Sequence, residues 1–340
     1  MSRVREVLPL VVGAAVALGV PLVVGDYYTE LLSQALIFGI FALSLDLMWG
    51  YAGVLNFGQA AYFGLGGYLV ALLAREVHAF DPTYLGYTLA VLAPSVLAGG
   101  LGYFLFYSRV TGVYFTIITL VVTMIFQLVV SDWYWLGGMN GILGAPSFAL
   151  PIPFLFVYEF DTERKVYYML LAVSVACWLL CRYVVRSPFG LVMSAIKDNE
   201  ERAEFFGYDS AYLKTIMFTI SAALAGFSGA LYAHFSGFVS PPLFGLIFST
   251  DVIIWVAVGG RGTLIGAFVG AVVVNLLKAF ISDFLEVLWL LVIGAFFIAT
   301  VFFFPDGIVG TLRRAYWRLA PAPAGRGGPV DRRKVPEAVE

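Results

Sequence analysis

Residues 111–130 read TGVYFTIITLVVTMIFQLVV, a stretch of twenty residues that contains no charged side chain. A helix needs about 20 mostly apolar residues to cross the hydrocarbon core of a bilayer, so this stretch predicts a membrane-spanning helix. The rest of the chain has the same character, because apolar residues make up 61% of its 340 residues and charged residues only 12%. Soluble domains usually carry about 25% charged residues. We therefore predict an all-α, polytopic membrane protein.

Similar apolar stretches on both sides of this helix predict about ten transmembrane helices in all, and eight or nine also fit the pattern. The stretches lie near residues 8–24, 31–49, 58–74, 84–106, 112–130, 166–185, 212–236, 245–258, 264–281 and 287–304. The first resembles a signal peptide, but its end, VVGDYY, has no clear A-x-A cleavage pattern, so we expect it to be retained. Residues 1–312 then form one transmembrane domain. The end of the chain is rich in proline, glycine and charge, so residues 313–340 are predicted to be a disordered cytoplasmic tail.

Lysine and arginine residues predict the orientation of these helices. With both termini in the cytoplasm, four of the 20 Lys and Arg residues fall on or near the outer side, and the other 16 are cytoplasmic. The four exceptions are Arg75, Arg164, Lys165 and Lys278. Positive charge concentrates on the cytoplasmic side of membrane proteins, so an N-in/C-in arrangement is favoured. Residues 187–214 then form a cytoplasmic loop between the sixth and seventh helices.

A polar stripe runs along the helix at residues 112–130. Its members are Thr116, Thr119, Thr123 and Gln127, and their spacing places them on one narrow helical face. One interpretation is helix packing, with each threonine bonded to its own backbone. The other is a lining for the path of a polar solute, since a glutamine amide is costly to place in lipid. Both interpretations remain open at this point.

Two glycine-rich stretches interrupt the apolar pattern, WGYAGVLNFGQAAYFGLGGY at 49–68 and VGGRGTLIGAFVG at 258–270. Interrupted helices often build solute sites in transporters, although a tight turn explains each stretch equally well. Asn56 and Gln59 lie in the first stretch and are candidates for the path. Asp46 and Asp251 lie within or beside apolar stretches, where carboxylates are functional candidates. A structural pairing for Asp46 and a helix cap for Asp251 are the alternatives.

Several kinds of chemistry have no signature in this sequence. No lysine follows a glycine, so there is no Walker A loop, and we expect neither ATPase nor other enzyme activity from the chain itself. Two histidines and two cysteines four residues apart do not form a metal motif, so no metal and no cofactor are expected. The net charge of −2 gives no nucleic-acid footprint.

Residues 187–214, SPFGLVMSAIKDNEERAEFFGYDSAYLK, carry an unusual concentration of charge for this chain. KDNEERAE at 197–204 favours a short helix, and Gly207 is a natural stop. A short amphipathic helix between two membrane helices can lie on the bilayer or in the groove of a partner. A solvated linker is the simpler alternative.

The sequence from this loop into the next helix, SPFGLVMSAIKDNEERAEFFGYDSAYLKTIMFTISAALAGFSGALYA, resembles the LivM-type permeases. These are membrane subunits of ATP-binding cassette (ABC) importers for branched-chain amino acids, urea and short amides. GYAGVLNFGQAAYFGLGGY, VYFTIITLVVTMIF, GGMNGILGAP and FFFPDGIVG resemble the same family, and the similarity runs from about residue 30 to 312. It implies that residues 1–312 are a permease domain of a bacterial-type inner membrane.

The resemblance also implies that residues 187–214 are the coupling loop, which docks on a cytoplasmic ATPase. The candidate coupling residues are Ala195, Lys197, Asp198, Glu200, Glu201, Arg202, Ala203 and Gly207. The implied partners are a second homologous permease, two ATP-binding subunits, a periplasmic or tethered solute-binding protein and the lipid bilayer. An ATP-independent secondary transporter or channel, with Asp46 and Asp251 as ion sites, is the alternative.

Two motifs give different indications of the solute. WVAVGGRGTLIGA at 255–267 resembles the urea-type permeases, which favours urea or a short amide. GGMNGILGAP at 137–146 departs from the urea-type pattern, so a branched-chain or other neutral amino acid comes next.

Overall fold

The computed structural model of the chain describes residues 17–76, 83–144, 149–152, 156–159, 162–284 and 307–319, together with positions 13, 294, 295 and 298. Eleven α-helices have defined bounds within this part of the chain. They are α1 (Asp26–Asp46), α2 (Gln59–Glu76), α3 (Thr83–Tyr107), α4 (Gly112–Asp132), α5 (Glu163–Arg186), α6 (Pro188–Asp198), α7 (Glu200–Phe205), α8 (Ser210–Ser236), α9 (Leu246–Gly259), α10 (Ile265–Phe284) and α11 (Gly307–Leu319).

Six stretches among the described residues are long and apolar enough to cross a membrane. They are Asp26–Ala52, Thr83–Tyr107, Gly112–Asp132, Glu163–Arg186, Ser210–Ser236 and Ile265–Ser282. The predicted third span is the helix α2, and the predicted eighth is the 14-residue α9. The predicted first span is described only in part, at position 13 and residues 17–24, and the predicted tenth span and the predicted tail fall mainly outside the described residues. Residues 313–319 of that tail belong to α11. The structure is thus that of a polytopic helical membrane protein, whereas the number ten and the orientation stay predictions.

Two short antiparallel sheets accompany the helices. β1 (Ile142–Leu143) pairs with β4 (Phe238–Val239), and β2 (Ala149–Ile152) pairs with β3 (Phe156–Glu159). All four strands lie in segments that connect long helices. The prediction of a purely α-helical chain misses them, because strands of two to four residues are too short for a periodic signal.

The centre of the bundle is α8, which packs against α1, α2 and α3. Glycines allow this packing, because a Cβ atom on Gly66 would overlap the backbone of Gly226, and one on Gly229 would overlap the carbonyl of Phe63. Ala222, Ala225, Gly226 and Gly229 of α8 are all buried, and small residues at such a spacing are typical of helices that pack closely in membranes.

The connection from α8 to α9 turns back into the bundle. Gly237 ends α8 with a left-handed φ of 64°, β4 follows, and a 3₁₀ turn at Pro241–Phe244 leads into α9. The Phe244 ring stacks on Phe126 of α4 at 5.9 Å and lies against Gly64, which is near the middle of α2. Phe244 therefore places the start of α9 inside the bundle and not at its edge. Gly245, with an extended backbone, separates the 3₁₀ turn from α9, and we call these two helical segments together the interrupted helix.

Candidate functional site

The end of α1 is wound as a π-helix, which covers Leu47–Ala52 and is closed by Gly53 at φ 76°. π-Helical turns are rare and occur often at functional sites. The carbonyl groups in the last turn of a helix have no partner within that helix, so they need one from elsewhere. Gly50 and Tyr51 in this turn both contact distant parts of the chain.

Asp46 is the residue immediately before the π-helical turn, and its side chain is fully buried. One carboxylate oxygen accepts a hydrogen bond from the Gly262 amide at 2.6 Å, and the other accepts from the Leu264 amide at 3.1 Å. The Tyr51 hydroxyl donates to the Gly262 carbonyl at 2.9 Å. Gly262 and Leu264 lie in the turn between α9 and α10, so α1 and its π-helical turn hold this turn through both the amide and the carbonyl of one residue, Gly262.

Lys197, near the end of α6, contacts the same π-helical turn. Its Nζ donates to the Gly50 carbonyl at 2.5 Å, and its stem lies beside Gly53. Arg261, in the α9–α10 turn, places its guanidinium 5.2 Å from the centre of the Trp49 ring. Three segments distant in sequence, including part of the predicted coupling loop, thus meet at the end of α1.

Asn56 and Gln59 lie in the loop after the π-helical turn and at the start of α2, and both are fully buried. Asn56 donates to the Gln59 amide oxygen at 2.6 Å, and Gln59 donates to Ser44 of α1 at 2.7 Å and to the Ser221 hydroxyl of α8 at 3.0 Å. Ser221 in turn donates to the Ser44 carbonyl at 2.6 Å. These groups satisfy one another and join three helices.

The polar stripe of α4 faces the rest of the chain. Thr119 and Thr123 are buried, whereas Ile117 on the opposite side of the helix is 50% exposed. Thr116 donates to the Leu55 carbonyl at 3.2 Å and also to its own helix. The buried Thr123 hydroxyl has no hydrogen-bond partner in the described structure. The stripe therefore includes both a backbone-bonded threonine, as the packing interpretation expects, and an unpaired hydroxyl.

Gln127, the last member of the stripe, lies beside Gly245, the residue before α9. The first amides of α9 receive no side-chain cap. In transporters, the ends of interrupted helices and the polar groups near them commonly face the solute path. The structure therefore brings the end of the polar stripe to the start of the interrupted helix, a proximity that the sequence does not predict.

The charged loop consists of two helices, α6 and α7, and not the single helix predicted at 197–204. The break falls at Asn199, which has an extended backbone, and its side chain accepts from the Arg202 amide at 2.8 Å as the cap of α7. Ser187 caps α6 and Asp209 caps α8 in the same way. Gly207 follows α7 at φ 89°, a conformation that favours glycine. Capped ends and this glycine give the loop a defined shape.

Glu200 ties the loop to the start of α8. Its carboxylate forms an ion pair with Lys214 at 2.6 Å and accepts a hydrogen bond from Ser210 at 2.9 Å. Partial burial opposes ionisation of Glu200, but the hydrogen bonds and charge of these partners outweigh it and hold the pKa of Glu200 below its ordinary value. Glu200 is therefore ionised at neutral pH and holds the loop to the start of α8.

The remaining candidate residues of the loop differ in exposure. Ala195, Asp198, Glu201 and Arg202 are exposed, whereas Ala203 is only 5% exposed and packs within the chain. The largest apolar surface of the loop belongs to Phe205 and Phe206, which are 90% and 73% exposed. The exposed face of the loop is thus both charged and aromatic.

Other features of the site were not predictable from sequence. Ser44, Tyr51 and Ser221 take part in it, but no motif or spacing connects positions so far apart in the chain. Asp251, for which a helix cap was one expectation, lies inside α9 and pairs with Lys278 of α10 at 3.4 Å. Among the described residues, no group of three or more His, Cys, Asp and Glu side chains could hold a metal ion.

The long apolar helices and the structured charged loop lie in the part of the chain that a known protein family matches. The family model described as the permease component of branched-chain amino acid transport systems matches residues 27–301. The chain belongs to this family. The matched residues include the π-helical turn, the polar stripe, the loop and the interrupted helix, so the branched-chain permease family accounts for nearly the whole described structure.

Relatives with curated names agree with this membership in the branched-chain permease family. The high-affinity branched-chain amino acid permease LivM of Escherichia coli (strain K12) is 27% identical over 92% of this chain and 77% of its own length. LivM of Salmonella typhimurium (strain LT2) is 26% identical with the same coverage. LivH of that same strain is 19% identical over 80% of this chain and 91% of its own length. No solved structure matches the chain.

Proposed function

We propose that the chain is one of two homologous permease subunits of an ATP-binding cassette importer for branched-chain amino acids. Membership in the permease family carries the proposal. The pairing is supported by the relatives, because one Salmonella strain has both a LivM and a LivH permease that resemble this chain. The complete importer would add two ATP-binding subunits and a periplasmic or tethered solute-binding protein, and it would lie in a bacterial-type inner membrane.

The loop at 187–214 is the proposed docking site for the ATP-binding subunit. Its capped helices present Ala195, Asp198, Glu201 and Arg202 to solvent, together with the Phe205–Phe206 pair. Aromatic side chains dominate the energy of many protein interfaces, and exposed charges add specificity and faster association. Glu200, Ala203 and Gly207 would keep the loop in its docking shape, whereas Lys197, which is exposed, would act through its contact with the end of α1.

We place the solute path along the polar stripe of α4 and the start of α9. Thr123 with its unpaired hydroxyl and Gln127 beside Gly245 support this position, and Thr116 and Thr119 extend it along the same face. Asn56 and Gln59 would stabilise the helices beside the path and not bind the solute, because their polar groups are already bonded to each other, to Ser44 and to Ser221. Asp46 would link helices, because its carboxylate binds the turn between α9 and α10.

Branched-chain amino acids are the proposed solutes because the matching relatives carry that name. The preference for urea or a short amide, which the motif at 255–267 predicts, has no support from these relatives. Urea and acetamide therefore enter as competitors in the experiment that tests the proposal.

The experiment is uptake of labelled leucine into proteoliposomes that contain this chain, its companion permease and the ATP-binding subunits, with the solute-binding protein added. We expect uptake that needs both ATP and the binding protein, is inhibited by excess isoleucine and valine, and is unaffected by urea or acetamide. The matched control is the same complex with an ATP-binding subunit that cannot hydrolyse ATP. The purified chain alone should hydrolyse no ATP.

Two outcomes would contradict the proposal in different ways. Uptake by this chain without any ATP-binding subunit would identify a secondary transporter or channel. ATP-dependent uptake of urea, with no uptake of leucine, would keep the importer but replace its solute.

A further inference from the structure

The contacts at the end of α1 form a continuous connection from the cytoplasmic loop to the α9–α10 turn. We propose that Lys197 and Asp46 are positioning residues that carry movement of the loop into the interrupted helix of α9. This inference rests on the proposed function, since it concerns how ATP-driven movement of the loop reaches the solute path. We call the four residues Lys197, Gly50, Gly262 and Asp46 the latch.

The charges of the latch match the helix ends that they contact. The Lys197 ammonium binds the Gly50 carbonyl in the last turn of α1, and a cation at the carboxyl end of a helix is favourable. The Asp46 carboxylate binds the amides of Gly262 and Leu264, just before α10 begins at Ile265. A carboxylate at the amino end of a helix is likewise favourable. Each charge thus fixes a helix end that belongs to a different element.

The residues of the latch are closely packed. A Cβ atom added to Gly50 would lie 2.7 Å from the Gly262 nitrogen and 2.8 Å from its Cα, so the π-helical turn and the α9–α10 turn touch through backbone. A Cβ atom on Gly53 would lie 2.9 Å from the Lys197 stem. Closely packed elements shift between discrete arrangements and do not deform continuously, so a displacement at one is passed to the next.

The backbone of the α9–α10 turn has an unusual conformation. Leu264 has a φ of 55°, a left-handed conformation that is unusual for a residue other than glycine. Such conformations persist only where the surrounding structure enforces them, and they cluster at switch regions and other functional sites. The Asp46 carboxylate, which binds the Leu264 amide, belongs to the surroundings that hold this conformation. Release of this contact would let the turn relax and move α9.

The route ends at the proposed solute path. The α9–α10 turn, which Asp46 contacts, directly follows α9. At its other end α9 starts just after Gly245, which lies beside Gln127. α9 has 14 residues and is therefore about 20 Å long at ~1.5 Å per residue. A displacement at the latch would reach the start of α9 over that distance. The latch therefore links a cytoplasmic docking element to the polar stripe through one short, stiff helix.

The test is the variant Lys197→Met, which keeps an apolar stem and removes the donor to Gly50. In the reconstituted importer, we expect leucine transported per ATP hydrolysed to fall about 2- to 30-fold, the range seen when residues of a coupling network are changed. Thermal stability and binding of the ATP-binding subunit should remain near wild type. Lys197→Arg keeps a donor and should recover most of the loss.

The matched control is Lys165→Met, which makes the same change at an exposed lysine near the start of α5. It changes neither the latch nor α9, so leucine transported per ATP hydrolysed should stay near wild type. Asp46→Asn removes the carboxylate charge at the other end of the latch and weakens its contact with the two amides. If Lys197 and Asp46 act in one route, the double variant Lys197→Met/Asp46→Asn should lose no more coupling than the worse single variant.

The proposal is overturned if Lys197→Met transports as much leucine per ATP as wild type. Losses that multiply in the double variant would also overturn it, because they would show two independent structural roles. Should Asp46→Asn fail to fold, the comparison of Lys197→Met with Lys197→Arg and Lys165→Met still decides. A wild-type complex without ATP-dependent leucine uptake would instead count against the proposed function.

Discussion

At the scale of single residues, glycines decide how closely the central helices approach. Gly66 and Gly226 face each other across α2 and α8, and Gly229 lies against the Phe63 carbonyl. In lipid, helix association depends on such close packing, because the surrounding tails are as apolar as the side chains. These positions are buried against backbone, which cannot move aside as a flexible side chain does.

We therefore predict that Gly229→Ala lowers the stability of the folded chain. The new methyl group overlaps the Phe63 backbone, and overpacking costs about 1–3 kcal/mol. The measurement is unfolding of the detergent-solubilised chain by denaturant or heat. Gly100→Ala is the matched control, because a Cβ there meets nothing within 4 Å. With its better helix propensity, Gly100→Ala should add up to ~1 kcal/mol. Equal effects of the two substitutions would show that the α2–α8 contact tolerates a wider separation.

At the scale of elements, the sequence predicts the charged loop well and its internal structure less well. The helical character of 197–204 and the stop at Gly207 are visible in the residues. The break at Asn199 is not, because an asparagine is tolerated within a helix and its role as a cap depends on backbone geometry. Burial of Ala203 is also invisible in the sequence, since its partners come from other segments.

The two alanines of the loop, both candidates for contact with the ATP-binding subunit, should therefore respond differently to the same change. Ala195→Trp adds bulk on the exposed face and should weaken binding of the ATP-binding subunit, while thermal stability stays near wild type. Ala203→Trp adds bulk at a buried position and should destabilise the chain itself by about 1–3 kcal/mol. The measurements are thermal unfolding of the chain and titration with the ATP-binding subunit. If Ala195→Trp binds the subunit normally, the loop is a solvated linker and not a docking element.

At the scale of the whole molecule, apolar stretches in the sequence predict the membrane helices because a bilayer imposes one length on every span. The interrupted helix shows where this reasoning stops. Residues 245–258 read as a short span, and α9 is indeed short, but its start inside the bundle depends on the packing of Phe244 against α2 and α4. Contacts across the molecule, such as Asp46 with Gly262 and Gln59 with Ser221, likewise have no counterpart in local sequence.

Opening of the solute path should expose the polar stripe of α4 to water and so change how fast a cysteine placed in the stripe reacts with a thiol reagent. Thr123→Cys, in a chain whose buried Cys177 and Cys181 are replaced by alanine, should react slowly with a water-soluble thiol reagent at rest. During ATP-driven transport its reaction should accelerate about tenfold or more, because an open state held to ~0.1–10% at rest becomes populated. Ile117→Cys, on the exposed opposite face, should react slowly in both conditions because it faces lipid. Equal rates for Thr123→Cys at rest and during transport would assign the stripe to helix packing.

The π-helical turn at Leu47–Ala52 also has a consequence for comparing permeases of this family by sequence length. Its hydrogen bonds enclose one residue more than those of a regular helix, so it adds one residue without adding a full turn. A relative that lacks one residue between the positions of Asp46 and Gly53 would have a regular helix there. Its carbonyl groups would point about 100° away from the position that Gly50 occupies, since one residue of an α-helix turns through that angle. A one-residue gap in an alignment at this place would therefore mark a permease whose loop is joined to its helices in another way.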